Sequence, residues 1–173
     1  MPAHPIVAEV ATLAVADPAT CDRVALAELV ATALRARGWL DSVDATIAVR
    51  AAELAAEGSG DPAAAVLAGG GRRSGREGRA AAARGDICLA MPELHDALAS
   101  GTVSAGHVDA IARAASNLDD AGKADLAALG ESLVDAAAAS SVETFERHVR
   151  DLERRLSRDA ASAGRNGCAG NDH

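Results

Sequence analysis

The sequence predicts an all-α protein: a long N-terminal helix packed with several shorter helices in an irregular bundle. Three observations carry that prediction. Alanine, the best intrinsic helix former, dominates the 173-residue chain. Aromatic residues are almost absent, Trp39 and Phe145 standing alone, whereas a β-sandwich or barrel draws heavily on aromatic and β-branched side chains. Apolar positions recur at spacings of three and four rather than two.

Taken in order, residues 5–16 read as a short helix that stops at Asp17-Pro18. From Leu26 the positions Leu29, Ala33, Ala36, Leu40, Val43, Ile47, Arg50 and Leu54 follow at steps of three and four. With one exception they are apolar, so they form a heptad-like stripe on one long helix over about 22–57. Gly38 lies inside the pattern and leaves room for a bend or break, because glycine costs about 1 kcal/mol relative to alanine in a helix interior. The stripe needs a partner, either another helix of the chain or a second copy.

Gly58-Ser59-Gly60 ends the long helix, and Asp61-Pro62 opens a short one at 62–68. Gly69-Gly70-Gly71 breaks the chain again. Ser74 is placed to cap a helix over 75–90, and Pro92 starts another that ends at Gly101. Ser104 caps a helix over 105–116, and Asp119 or Asp120 opens one over 120–139. Ser140 and Glu143 suggest a capping box for a last helix over 141–159. The polar, Gly-rich remainder reads as a disordered tail. The expected organisation is thus a lead-in over 1–21, a helical domain over 22–160 and a tail over 161–173.

Net charge is −8, which argues against a protein that coats nucleic acid with its whole surface. The charge is uneven. Arg72, Arg73, Arg76, Arg79 and Arg84 crowd one segment against Glu77 alone, while residues 86–142 are strongly acidic. Arg72, Arg76 and Arg79 stand at i, i+4 and i+7, the spacing of one helix face. Such a face after a flexible glycine break suits phosphate contact. The alternative is a solvated face paired to the acidic helices. The glycine run is not a Walker loop, since no Gly-Lys-Ser/Thr follows. A second stripe, Arg147, Arg150, Arg154 and Arg158, is balanced by Glu143, Glu146, Asp151 and Glu153 and points to no ligand.

Cys21, Cys88 and Cys168 are odd in number and far apart, so neither a disulfide framework nor a zinc knuckle is indicated and a cytoplasmic setting is expected. The N-terminus lacks a basic segment, and Glu9 interrupts its apolar run, so a signal peptide is not expected. No apolar run is long enough to span a bilayer, and no membrane partner is expected. The histidines His4, His95, His107, His148 and His173 are scattered singly, and no metal site or catalytic constellation is legible. His107, three residues after Ser104, is read as a turn-fixing residue rather than a ligand, because no Cys, Asp or second His stands at i+4.

The stretch from Met91-Pro92-Glu93-Leu94 through Gly101, Val103-Ser104 and His107 to Ile111 resembles the core motif of a domain of unknown function, number 222, that precedes HNH nuclease domains in high-GC bacteria. Three further stretches are similar to the same family: Arg35 to Asp44 in the long helix, Gly71 to Glu77 in the arginine-rich segment, and Val142 to Leu152 in the closing helix. The resemblance covers about residues 22–159. It implies a non-catalytic helical domain that positions or assembles a nuclease on DNA, with Arg72, Arg73, Arg76, Arg79 and Arg84 on the DNA backbone. It also implies that the HNH part, with its histidine pair and divalent metal, is absent from this chain, so that the chain itself holds no cofactor. Asn171-Asp172-His173 has no second histidine and is read as chance. Two other readings stay open: self-association, as a homodimer through the Leu26–Leu54 stripe with no DNA contact, and the front fragment of a full metal-dependent endonuclease.

Overall fold

The computed structural model describes residues 5–167, with side chains described as far as Arg158. His4, Cys168, residues 171–173 and the last part of the expected tail lie outside the described residues. Among those described there are nine α-helices and no strand: α1 (Ile6–Val15), α2 (Arg23–Ala56), α3 (Ala63–Leu67), α4 (Gly75–Ala90), α5 (Pro92–Ala99), α6 (Ala105–Ala115), α7 (Asp120–Ala127), α8 (Gly130–Ala138) and α9 (Val142–Gly167). No described helix is long and apolar enough to cross a membrane.

The all-α prediction holds, and so does the long helix. α2 runs unbroken for 34 residues, about 50 Å at 1.5 Å per residue, with Asp22 capping its start through the Ala25 N–H. The helix runs through Gly38 without a break. The glycine marks the place where the end of α5 lies against α2: a Cβ there would stand 2.6 Å from the Leu98 carbonyl oxygen and 3.2 Å from Gly101 Cα. Small residues of this kind form the face that α2 buries, namely Ala36, Gly38, Ser42, Ala45, Ala48 and Ala51. The apolar stripe behaves differently from a buried seam. Leu26, Leu40 and Ile47 are exposed, and Leu29, Val43 and Leu54 are only partly covered. Close approach of the α4 and α5 backbones decides the matter, because only Ala, Gly and Ser allow it.

The main core is built by α4 to α9. Met91, Leu94, Leu98, Val108, Ile111, Leu126, Leu133, Phe145 and Val149 are fully buried there. Phe145, the one phenylalanine, sits in it as the bulkiest member. A small second cluster, Ala48, Leu67 and Ala81, joins α2, α3 and α4.

Two boundaries differ from expectation. The helix expected over 120–139 is two, α7 and α8, separated at Ala128 and Leu129, and the Leu129 backbone leaves helical geometry (φ −97°, ψ 9°). Gly130, which starts α8, lies against the Glu93 side chain, where α8 packs on α5. The closing helix also continues past 159 to Gly167, into the segment expected to be a disordered tail. Ala160, Ala161 and Ala163 supply the helix propensity that extends it.

Candidate nucleic-acid interface

The arginine-rich segment is assembled from a turn, a cap and a helix. Gly69, Gly70 and Gly71 have φ of 58°, 64° and 88°. Three successive left-handed residues are accessible only to glycine without strain, and they turn the chain from α3 into α4. Ser74 then caps α4. The Glu77 N–H donates to Ser74 Oγ at 3.2 Å, while the Ser74 N–H and hydroxyl both donate to Glu77 Oε2 at 2.7 Å. These bonds hold the Glu77 carboxyl below the usual glutamate range. The positive end of α4 is thereby satisfied from within by its own carboxylate, so the helix terminus is not the place where an outside anion binds.

The structure separates the five arginines. Arg84 is buried. Its Nε and Nη2 donate to the two carboxylate oxygens of Asp109 on α6, at 3.0 and 3.2 Å, and its Nη1 donates to Asp41 on α2 at 2.9 Å. Burial works against the guanidinium charge, but the hydrogen bonds and charges of Asp109 and Asp41 outweigh it, so the Arg84 pKa lies above its ordinary value. Asp41 is pushed up by burial, which Arg84 only partly offsets. Arg84 is a clamp between α2, α4 and α6 and is not available to touch DNA. It lies among the other residues that α4 buries, Ala81, Gly85 and Cys88.

Arg73 is turned onto α2, where Nη1 donates to Asp44 at 2.6 Å. Arg72 precedes α4, in the turn, so the expected single helical face holds only for Arg76 and Arg79. Arg72, Arg76 and Arg79 are exposed and have no ion-pair partner among the described residues. Arg76 lines a shallow groove between α4 and α6, shared with Glu77, Ala80, Asp109, Arg113 and Ser116. Of the second arginine stripe, Arg150 pairs with Glu146 at 3.1 Å and Arg154 with Asp151 at 3.4 Å, while Arg147 donates to Thr144 Oγ1 at 3.3 Å.

His107 is a structural residue. The Ser104 N–H donates to its Nδ1 at 3.2 Å, which leaves Nε2 as the protonated nitrogen, donating to the Ser140 carbonyl at 3.3 Å. The ring meets Phe145 edge-on, with centroids 5.3 Å apart. It ties the start of α6 to the turn before α9. His95 and Cys88 share a surface groove with Thr46, Arg50 and Glu53. Burial pushes the Cys88 thiol up to about 11. Among the described residues no group of three His, Cys, Asp or Glu side chains converges as a metal site.

Comparison of the chain with protein-family models, with curated proteins and with solved structures finds no match.

Proposed function

We propose that this chain is a non-catalytic helical module of an HNH-endonuclease-like protein, which helps to position that nuclease by holding DNA phosphates with Arg72, Arg76 and Arg79. The observation that carries the reading is the division of the arginine cluster. Arg73 and Arg84 are spent on Asp44, Asp41 and Asp109, whereas Arg72, Arg76 and Arg79 stay exposed and unpaired beside a glycine turn. In a chain of net charge −8 that local excess of cations favours a polyanion at this end and disfavours it elsewhere. The nuclease association rests on the resemblance of residues 22–159, and any divalent metal belongs, on this reading, to the nuclease domain.

The test is equilibrium binding of labelled duplex DNA to the parent protein and to the triple variant Arg72→Ala/Arg76→Ala/Arg79→Ala. Loss of binding in the triple variant, with far-UV circular dichroism unchanged, supports the reading. Equal affinity of the two proteins refutes it.

A further inference from the structure

The first third of the chain folds as a helical hairpin that has almost no interior. Ile6 is buried where α1 meets the end of α5, but from Val7 to Arg35 no residue is buried. α1 lies antiparallel along the start of α2, and Glu9 pairs with Arg35 at 3.0 Å to set their register. Helices in water owe most of their stability to packing of an apolar face, and this hairpin has little of that within the monomer.

Its apolar side chains point outward instead. Twelve large aliphatic side chains are exposed among the described residues, and nine of them belong to α1 and α2. Val7 and Val10 are about half exposed on α1, and Leu26, Val30 and Leu34 stand on α2 at 41, 58 and 54 %. These last three follow at steps of four, so they form one strip along the helix. The partly covered Ala25, Leu29 and Thr32 lie on a different line of α2, the one that α1 overlies.

We propose that this hairpin is a dimerisation surface and that its occupant is the same hairpin of a second copy of the chain. Three arguments favour a second copy. Seven of the nine side chains lie on residues 5–37 and leave roughly 650 Å² outside, most of the about 800 Å² that each partner gives to a standard stable interface. Two antiparallel hairpins laid face to face make a four-helix bundle by twofold symmetry, which supplies each with the core it lacks. Residues 5–37 hold four acids and three arginines, so they are nearly neutral within a chain of charge −8, and two copies meet there with least repulsion. An anionic membrane or a nucleic acid would call for a basic excess, which this segment does not have. The proposal uses none of Arg72, Arg76 and Arg79 and so stands independently of the phosphate reading.

The experiment is size-exclusion chromatography with multi-angle light scattering on the full chain over a wide concentration range. The parent is expected at twice its 17.3 kDa mass. Val30→Asp/Leu34→Asp is expected at the monomer mass with unchanged helicity, since both positions are exposed, and Ile47→Asp, farther along α2, is expected to remain dimeric. Hydrogen exchange of the unmodified protein gives a second readout, with amides of residues 23–35 slowing as concentration rises. A monomeric parent overturns the proposal, and one that also floats with anionic phospholipid vesicles assigns the face to a membrane. A dimer that survives the double substitution, a dimer lost only in Ile47→Asp, or exchange at 23–35 independent of concentration overturns it equally.

Discussion

Arg84 grips Asp109 with two parallel hydrogen bonds, at 3.0 and 3.2 Å, and this fork joins α4 to α6 across a separation of 25 residues in sequence. The third bond, to Asp41, brings in α2. One guanidinium thus closes the three-helix junction that carries the arginine-rich end of α4.

Removing that guanidinium leaves two partly buried carboxylates facing each other. Arg84→Ala is expected to destabilise the fold by about 3–5 kcal/mol, the usual result of breaking one side of a buried ion pair. The two acids are not equivalent. Asp109 holds the bidentate bond, whereas burial raises the Asp41 pKa despite Arg84. Asp109→Asn is therefore expected to lower the urea midpoint clearly, and Asp41→Asn to leave it nearly unchanged. Equal losses for the two would contradict this division.

Stability should fall at high pH through Cys88. Its thiol is raised from 9.0 to about 11 by burial. A raised pKa means that the folded state keeps its proton longer than the unfolded chain does. The contribution is therefore fully present below pH 9 and is lost as pH rises through about 11. Roughly 2 pK units correspond to about 2–3 kcal/mol. Urea unfolding between pH 8 and 11 measures this, and Cys88→Ala should flatten the slope. The same burial predicts that Cys21, partly exposed, reacts with a thiol reagent well before Cys88 does.

Gly38→Ala tests the close approach of α2 and α5. In an isolated helix the change stabilises by about 1 kcal/mol. Here the new methyl group would stand 2.6 Å from the Leu98 carbonyl oxygen, so the two helices must move apart. A net loss of about 2 kcal/mol is expected from such overpacking. A rise in the thermal midpoint would show that α5 does not sit where Gly38 receives it.

Ser74→Ala removes the cap that starts α4, with an expected loss of about 1 kcal/mol. Ser74→Thr should retain most of the stability, because threonine also accepts from the Glu77 N–H and donates to the Glu77 carboxylate. Thermal unfolding of the two variants side by side distinguishes capping from a general effect of substitution.

Much of the fold was legible because caps and prolines are local signals. Ser74, Pro92 and Ser104 each mark a helix start that the structure shows within a residue or two. The break between α7 and α8 was not legible, because it lies at a tertiary contact, Gly130 against Glu93, and no proline or glycine run announces it. The buried face of α2 was misread for a related reason. Periodicity selects the bulkiest apolar residues, yet where backbones pack closely the buried line is Ala45, Ala48 and Ala51, and Leu40 and Ile47 are left outside. Of the candidate site, Arg72, Arg76 and Arg79 are exposed. Arg84 departs from the sequence reading because its partners, Asp41 and Asp109, lie on helices far away in sequence.

The central functional claim is that three guanidiniums meet phosphates, and the salt dependence of DNA affinity tests it most directly. Each phosphate contact releases counterions, with a log–log slope of about −0.9 per contact on duplex DNA, so three contacts predict a slope of about −2.7. A slope near that value, reduced by about one unit in each single variant of Arg72, Arg76 or Arg79, is the result this account requires. Affinity that does not change with salt, or a slope left intact when these arginines are replaced, would contradict it.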